Sequence, residues 1–467
     1  MIKQQKLTKY LHTLLIVVMG FGVFVPLFPV QAATQATVAD FSAAIDQAND
    51  FQFQGAMAID QESGQILYQY QADQQLGIAS LSKVISLGVV YDAIKQGTLK
   101  LTDTVPISAD VALLSQTEGL SNVPLEVSKD RYTVGELIDA AMIASANAAV
   151  VALAERVAGS EDGFVTQQMS DKVKEAGVKQ FKLYSASGLP GNYVNSSKRF
   201  FGYTENDENQ LSAADYLRVV RQIVTDYPDI LTRSLPLKKD FKVNTDTTVT
   251  MENQNEMIPG GAHGRHEVTG GKTGTGDISG YSLFVQANLS GRKVLVVTLG
   301  DPTKEARYQD MGRLLDSIEN QLSWYRIHGE GEMVGGSDAH IPVANGDQPW
   351  TSLYYEKEAG LFVPNTQLDD PGIEVSYRDA LQYDTEGKIQ VIAPLKKDAV
   401  VNVEYYTAPF YQSIMNDKEH QSVSDAVKAT EDVLEVPFFV KISRLMNDIM
   451  QNLMQWLHNF FATVMSN

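Results

Sequence analysis

The stretch GIASLSKVISLGVV, residues 77–90, predicts a helix and raises a chemical question. Its apolar residues recur with a helical period, at Leu81, Val84, Ile85, Gly88 and Val89. Ser80 stands where a helix N-cap would stand, and a capping box would place a glutamate three residues later. The chain has Lys83 there instead, and a cation in the first turn faces the positive end of the helix dipole. A lysine that the local rules disfavour indicates a chemical role.

Ser80 and Lys83 form an S-x-x-K pair whose side chains share one helical face, so the amine can reach the hydroxyl. A serine is a weak nucleophile until a base takes its proton, and a lysine is a base only when it is neutral. The lysine pKa of ~10.4 must therefore fall, through burial or through nearby positive charge such as the helix N-terminus or a second lysine. The backbone N–H groups at this helix start could also form half of an oxyanion hole.

The S-x-x-K pattern alone is weak evidence for such chemistry. It occurs a second time at Ser290–Lys293, within a predicted hairpin turn where it has no chemical meaning. Taken alone, Ser80–Lys83 would be an N-cap beside a solvated lysine. The chemical interpretation therefore depends on further motifs.

A second motif is Ser145-Ala146-Asn147, the only S-x-N in the chain. It interrupts an Ala-rich helical segment, and Ser and Asn compete with the backbone for hydrogen bonds. The motif therefore predicts a break between two helices. An ordinary helix–helix connection would look the same.

A third motif is Lys272-Thr273-Gly274-Thr275, which has glycines on both sides and leads into a predicted hairpin. A strand of small residues allows a substrate backbone to approach closely. A lysine with neighbouring hydroxyls suits a carboxylate. We therefore regard this strand as a candidate binding edge.

The order of elements predicts the fold class. Strands at GAMAID (residues 55–60) and QILYQY (residues 65–70) come first, and a helical block follows. A helix with the capping box Thr133 and Glu136 lies in that block, and a helix capped by Ser212 closes it. A β-hairpin at residues 280–300 and a helix to about residue 325 come last. We predict an α+β fold, an antiparallel sheet with strands from both ends of the segment and a helical subdomain inserted between them.

Composition restricts the class of protein. The chain has 467 residues, of which 44% are hydrophobic, so it can bury a sizeable core. A formal net charge of -19 argues against nucleic-acid binding, and the absence of Cys excludes disulfides and zinc–thiolate sites. Residues 1–32 have a lysine-containing start, an apolar core and small residues before position 33, which predicts a cleaved secretory signal. An uncleaved anchor is the alternative.

The last 30 residues alternate polar and apolar positions with a helical period. Large apolar side chains share one face, among them Ile449, Leu453 and Trp456, and polar residues share the other. A spanning helix would not carry a polar residue every turn, but a helix lying in the membrane interface would. A terminal helix packed on the preceding domain is the alternative.

The ordered set of S-x-x-K, S-x-N and K-T-G is specific. Over roughly residues 35–325 the chain resembles the low-molecular-mass penicillin-binding proteins, the serine D-alanyl-D-alanine carboxypeptidases. The stretches IASLSKV, MIASANAAVVALAE and GGKTGTG carry most of the resemblance. It implies a β-lactamase/transpeptidase-like sheet with a helical subdomain, followed by a small all-β domain and an amphipathic anchor helix. The segment Ser185–Leu189 departs from the family, which usually has an Asn there.

The resemblance also implies residue roles. Ser80 would be the acylated nucleophile and Lys83 its proton acceptor. Ser145 would relay a proton to the leaving D-alanine, and Asn147 would hold the donor peptide. The strand motif, with Lys272, Thr273 and Thr275, would bind the terminal carboxylate. The Ser80 and Thr275 N–H groups would form the oxyanion hole.

From these roles we expect an exported enzyme at the outer face of the bacterial cytoplasmic membrane. It would remove the terminal D-alanine from peptidoglycan stem peptides and would be inhibited by penicillin, with no cofactor and no metal. The expected segments are a signal peptide at 1–32, the penicillin-binding domain at 33–327, a linker at 328–340, an all-β domain at 341–435 and a membrane-surface helix at 436–467.

Two rival functions stay open. A class A β-lactamase would need a Glu-x-x-Leu-Asn segment between S-x-N and K-T-G, and the sequence has none there. A non-catalytic wall-binding protein could keep the fold, although the intact motifs argue against it. The His263–His266 loop lacks an obvious third metal ligand, and the acidic run Glu205–Glu208 reads as solvated loop.

Overall fold

The computed structural model describes residues 35–193, 204–336, 339–380, 382–383, 387–415 and 422–465. The predicted signal peptide at residues 1–32 lies outside the described residues. Among the residues that are described, no helix combines the length and apolar content needed to cross a bilayer.

The chain contains both α-helices and β-strands. The α-helices span Val38–Asn49, Ser82–Lys95, Ala109–Ser115, Val134–Ile143, Asn147–Ala158, Glu161–Gly163, Ser170–Glu175, Ala213–Asp226, Asp229–Thr232, Lys304–Gln321 and Phe438–Met465. The strands of the first two thirds are β1 Gly55–Asp60, β2 Ile66–Tyr70, β3 Leu76–Gly77, β4 Thr104–Ile107, β5 Ser128–Thr133, β6 Gln210–Leu211, β7 Lys238–Lys242, β8 Thr248–Glu252, β9 Val268–Gly276, β10 Gly280–Leu289 and β11 Arg292–Asp301. The remaining strands are β12 Leu322–His328, β13 Ile341–Ala344, β14 Trp350–Thr351, β15 Leu353–Tyr355, β16 Ala359–Pro364, β17 Glu374–Tyr377, β18 Gln382–Tyr383, β19 Ile389–Ile392, β20 Val400–Thr407 and β21 Val423–Ala429.

A five-stranded antiparallel sheet in the order β2-β1-β11-β10-β9 forms the centre. Strands from the start of the chain pair with strands that follow the helical block, since Gly55 lies opposite Leu299. Every residue of β1 is buried, so the sheet is covered on both faces. The predicted α+β arrangement is confirmed.

Helices cover this sheet. Helix Lys304–Gln321 packs against β10 and β11 and contacts helix Val38–Asn49, which itself packs against β2. Helix Ala213–Asp226 packs against β1 and β11 and contacts helix Ser82–Lys95. The helix Ser82–Lys95 therefore lies within the core, and 11 of its 14 residues are buried.

The start of helix Ser82–Lys95 differs from the prediction. Ser80 is not its N-cap, because a single 3₁₀ turn over Ala79–Leu81 precedes the helix and no side chain caps it. Ser80 thus lies in a turn that is tighter than an α-helix, just before the helix begins. The capping-box rule failed here because contacts with β9 help to shape the turn, and its local hydrogen bonds are those of a 3₁₀ turn, such as the Leu81 N–H to the Ile78 carbonyl at 2.9 Å.

The helical block otherwise follows the sequence pattern. Thr133 and Glu136 form the predicted capping box at helix Val134–Ile143. The next helix, Asn147–Ala158, starts after a break and ends at Gly159 in the left-handed conformation. The S-x-N motif therefore lies at a helix break, as predicted.

The last third contains mostly strands. Helix Lys304–Gln321 ends four residues before the predicted end near residue 325, because the chain continues directly as β12, which pairs with β16. Two four-stranded sheets follow, in the orders β14-β13-β19-β18 and β15-β21-β20-β17. Helix Phe438–Met465 closes the described chain. The exact domain boundaries stay a prediction.

Gln65 joins the central sheet to the strand-rich part. Its side-chain amide donates to the Phe362 carbonyl at 2.8 Å, and its carbonyl accepts the Phe362 N–H at 2.8 Å. Gln65 is fully buried, so this pair satisfies two backbone groups that water does not reach. The contact holds β16 against the start of β2.

Replacing Gln65 with Ala should lower the free energy of unfolding by about 2 kcal/mol or more, because it leaves a buried N–H and a buried C=O without partners. Urea unfolding followed by circular dichroism measures the change. Gln69→Ala, on the same strand pair but half-buried, is the matched control and should cost clearly less. Equal losses for the two variants would contradict this account of the contact.

Candidate active site

The turn that carries Ser80 is fixed by its neighbours. Ala79 has φ of 40°, a left-handed value that an alanine adopts only under constraint. The strand β9 runs against this turn, and a Cβ at Gly274 would lie 3.0 Å from the Ile78 carbonyl oxygen. A glycine at that position thus allows the third motif to approach the turn that carries Ser80.

Lys83 lies in the first turn of helix Ser82–Lys95 and is fully buried. Its Nζ donates to Ser80 Oγ at 2.8 Å, to Asn147 Oδ1 at 2.7 Å and to the Ser187 carbonyl at 2.8 Å. Burial lowers the pKa of Lys83 well below its ordinary value, and the charge of Lys272 lowers it further. The contacts place a base of low pKa at the serine hydroxyl.

The helix break supplies Ser145 and Asn147. Ser145 has φ of 56° and is buried, so its hydroxyl is held at one place between the two helices. Asn147 is buried and donates through Nδ2 to the Ser121 carbonyl at 2.9 Å, which turns its Oδ1 toward Lys83. The break therefore positions both side chains.

Lys272 lies on β9 and is buried. Its Nζ donates to Ser145 Oγ at 2.8 Å and to the Thr273 carbonyl at 2.8 Å. Burial, and then the positive charge of Arg307, lowers the pKa of Lys272 to about 7. Lys272 and Lys83 thus lie in one cluster, and neither has a carboxylate partner among the described residues.

The structure brings five of the seven predicted site residues into one cluster that holds two sets of hydrogen bonds. Lys83 donates to Ser80 and Asn147, and Lys272 donates to Ser145. The two lysines are close enough for the charge of Lys272 to lower the pKa of Lys83. Thr273 contributes its backbone carbonyl to that cluster, and its side chain is buried. Thr275 is exposed, at the open end of β9, and its hydroxyl accepts from Arg307 at 3.3 Å.

Arg307 is a site residue that the sequence analysis missed. It lies on helix Lys304–Gln321, is 2% exposed, and donates to the Gly274 carbonyl at 3.2 Å. A second guanidinium N–H donates to the Tyr308 hydroxyl at 2.9 Å. The only signal in the sequence was an arginine at a position where the helix pattern expects an inward-facing residue.

The segment around Ser187 was known from the sequence only as a departure from the family. The backbone carbonyl of Ser187 accepts the third hydrogen bond of Lys83. Asn209 orders the segment by accepting the Tyr184 N–H at 2.6 Å and donating to the Ser185 carbonyl at 2.8 Å. No local pattern reveals these contacts, because Asn209 lies 24 residues away from Ser185.

The prediction of a solvated acidic loop at residues 205–208 is wrong for Glu208. Its side chain is 3% exposed and lies against Gly77, where an added Cβ would be 2.1 Å from Glu208 Oε1. Burial raises the pKa of Glu208. The loop folds inward because the next residues form β6, which pairs with β3.

In this site a serine hydroxyl contacts a buried amine, and a second lysine lies on the edge strand. This arrangement is typical of serine-type acyl-transfer enzymes. Comparison with known proteins agrees. A model of the D-alanyl-D-alanine carboxypeptidase family, peptidase family S11, matches residues 42–303. The chain belongs to this family of serine peptidases.

Relatives support this assignment along most of the chain. The D-alanyl-D-alanine carboxypeptidase DacC of Escherichia coli is 26% identical, over 86% of this chain and 89% of its own length. DacF of Bacillus subtilis is 24% identical, over 84% and 89%. A crystal structure of a peptidoglycan synthesis regulatory factor (PBP3) from Streptococcus pneumoniae superposes with a TM-score of 0.68 at 26% identity, covering 82% of this chain and 99% of that one.

Gly188 offers a test of how tightly the site is built. It has φ of 82°, and a Cβ there would lie 1.9 Å from the Ala79 carbonyl oxygen, so Gly188→Ala must push on the Ser80 turn. We expect acylation of Ser80 by a β-lactam to slow by about 100-fold, the cost of a displacement near 1 Å. Stopped-flow acylation kinetics measure it.

Gly177→Ala is the matched control, because Gly177 also has a positive φ, of 79°, but an added Cβ would meet nothing within 4 Å. It carries the same backbone strain without the contact. Equal acylation rates for the two variants would show that the turn does not depend on this close approach.

Proposed function

We propose that this carboxypeptidase releases the terminal D-alanine of peptidoglycan stem peptides through an acyl-enzyme on Ser80. The observation that carries the proposal is the hydrogen bond between Lys83 Nζ and Ser80 Oγ, made by a lysine whose pKa is lowered by burial. Neutral Lys83 takes the hydroxyl proton as Ser80 Oγ attacks the carbonyl carbon of the penultimate D-alanine.

The other site residues act on the charges that develop. The Ser80 and Thr275 N–H groups bind the oxygen of the tetrahedral intermediate. The tetrahedral intermediate then collapses and its C–N bond breaks. Ser145 relays a proton to the nitrogen of the leaving D-alanine, which departs as an amine. Water then hydrolyses the ester on Ser80, which restores the free hydroxyl and releases the shortened peptide.

The strand edge selects substrates that end in a carboxylate. Lys272, with Thr273 and Thr275, binds that carboxylate. Arg307 does not bind it directly but donates a hydrogen bond to the Thr275 hydroxyl and so holds that side chain in place. A bound carboxylate favours the charged form of Lys272 and so raises its pKa above 7. Asn147 holds the peptide on the other side of the reacting bond.

The same attack explains inhibition by β-lactams. A β-lactam presents a strained amide beside a carboxylate, so Ser80 opens the ring at the same place. The leaving nitrogen stays attached to the acyl group and blocks the path of water.

Ser80→Ala should reduce D-alanine release from a Lys-D-Ala-D-Ala peptide by about 10⁴-fold or more, because the nucleophile is lost. An enzyme-coupled D-alanine assay measures the release. The chain supplies its own control, since Ser290 begins the second S-x-x-K and is exposed. Ser290→Ala should leave the rate unchanged, and a loss of less than about 10-fold in Ser80→Ala would refute the nucleophile.

The pH profile follows from the two lysines. Lys83 works as the free amine, so kcat/KM rises with pH as its lowered pKa is passed. Lys272 works as the ammonium, so kcat/KM falls as pH rises through about 7 in the free enzyme. We expect a bell-shaped profile with a maximum near or below neutral pH. A profile that still rises above pH 9 would contradict it.

We further propose that helix Phe438–Met465 lies on the membrane surface of the exported protein. Its large apolar side chains are exposed: Phe439 is 83% exposed and Trp456 is 60% exposed. A helix of 28 residues with this exposure buries its apolar face in the lipid interface. Lys441 pairs with Glu435, and Arg444 donates to the Gly346 carbonyl. These two contacts hold the start of the helix against the preceding part of the chain.

Leu453→Asp, on the apolar face, should abolish flotation of the protein with vesicles of phosphatidylglycerol and phosphatidylethanolamine. Gln451→Asp adds the same charge on the polar face and should float like the unchanged protein. D-Alanine release from a soluble peptide should be equal in both variants. Flotation of Leu453→Asp at the unchanged level would refute membrane binding through this face.

A further inference from the structure

A cavity of about 910 Å³ lies between the two four-stranded sheets of the last third of the chain. Val391 and Ile392 of β19 line one side, and Val401 and Glu404 of β20 line the other. The volume is that of a site for a small organic molecule. The cavity belongs to the strand-rich part and its lining contains none of the site residues around Ser80.

The cavity is open and is not a packing defect. Apolar side chains at its rim stay exposed where two packed sheets would bury them, with Val375 at 45%, Ile392 at 50% and Val400 at 44%. Protein interiors close up to near crystal density, so two fully packed sheets would not leave a space of this size, and an open space of this size can admit a ligand. The apolar rim indicates that such a ligand has an apolar part.

His328 gives the cavity a polar wall. The side chain is 4% exposed, lines the cavity, and has no hydrogen-bond partner at either ring nitrogen. Its ring stacks on Tyr355 with centroids 3.6 Å apart, and the nearest carboxylate oxygen, on Asp425, is 3.9 Å away. A buried imidazole without a partner costs free energy, and an amide or hydroxyl on a ligand would satisfy it.

Tyrosines surround a carboxylate on the same wall. Glu404 accepts from the Tyr406 hydroxyl and, at 3.4 Å, from the Tyr355 hydroxyl. Burial, and then the negative charge of Glu404, raises the pKa of Tyr355 to about 12 and also raises the pKa of Tyr377. Three aromatic rings and a carboxylate thus share one end of the cavity.

The lining is acidic. It contains three carboxylates, on Glu332, Asp379 and Glu404, and no Lys or Arg among the described residues. Glu332 pairs with Arg326 and Asp379 with Arg378, whereas the side-chain partners of Glu404 in the described chain are tyrosine hydroxyls. Tyr355 and Tyr406 meet Glu404 with their hydroxyls, so the carboxylate lies beside aromatic rings with no cation paired to it in the described chain, and such a place attracts an ammonium ion.

We propose that this cavity binds an alkylammonium ion whose aliphatic stem carries an amide, as a lysine-type side chain on a peptide does. The ammonium lies at Glu404 between the Tyr355, Tyr377 and Tyr406 rings. The stem lies against the apolar rim, and the amide meets His328. The site lies apart from Ser80, and the proposal does not depend on the catalytic function.

Isothermal titration calorimetry of the full chain with Nα-acetyl-L-lysine amide tests the proposal. We expect binding, and we expect Glu404→Gln to weaken it by about tenfold or more because the charge is lost while the shape is kept. Tyr377→Leu, at a half-exposed ring, should weaken it too. Glu374→Gln removes an exposed carboxylate of β17 that does not line the cavity and should bind like the unchanged protein.

The neutral analogue Nα-acetyl-L-norleucine amide separates charge from shape. Equal affinity for the neutral and charged ligands, or unchanged affinity in Glu404→Gln, would overturn the proposal. Binding of chitotriose in place of the ammonium would overturn it in favour of a glycan. D-Alanine release from a soluble peptide should be the same in Glu404→Gln, which keeps this test separate from that of the catalytic site.

Cosedimentation with purified cell walls identifies the source of the ammonium. If walls capture the protein, and Glu404→Gln or N-acetylation of the walls abolishes capture, the ammonium belongs to the wall polymer. If walls do not capture it while calorimetry still shows binding that depends on Glu404, the ligand is a soluble amine. Both results support an ammonium site.

Discussion

Two buried amines in one small polar cluster are the constraint on which the rest of the structure depends. Lys83 and Lys272 are both withdrawn from water, and each amine is held by oxygen atoms of uncharged groups. Taking an ammonium out of water is costly, so each group tends toward its neutral form. The core helix, the break after Ile143 and the edge strand β9 each bring one part of this cluster into place. The cost of burial therefore lowers the pKa of Lys83, which is the property that the proposed proton acceptor needs.

The sequence predicted the framework because its signals are local. The capping box at Thr133, the hairpin before Asp301 and the break at Ser145 are each encoded within a few residues, and all three were confirmed. An antiparallel sheet with strands from both ends of the helical block was also predicted and confirmed, but its strand order was not predicted, because it depends on pairing between distant segments. The start of the Ser80 helix was mispredicted because its 3₁₀ turn is shaped by contacts with β9.

The parts of the site that sequence reasoning missed all depend on contacts between distant segments. Arg307 reaches Thr275 from a helix 32 residues later, and the Ser187 carbonyl reaches Lys83 from 104 residues away. A backbone carbonyl has no signature in the sequence at all. Glu208 was misjudged because an acidic run is solvated in most proteins, whereas here the pairing of β6 with β3 carries it inward. The three motifs predicted which residues lie together at the site, and the fold adds contacts that the motifs do not encode.

The central claim is that a neutral Lys83 makes Ser80 the acylated residue. Mass spectrometry of the protein after brief treatment with benzylpenicillin, with peptide mapping of the adduct, tests it most directly. We expect one adduct on the peptide that contains Ser80. We expect no adduct in Lys83→Met over the same time, whereas Lys293→Met should be labelled fully. An adduct at another residue, or full labelling of Lys83→Met, would contradict it.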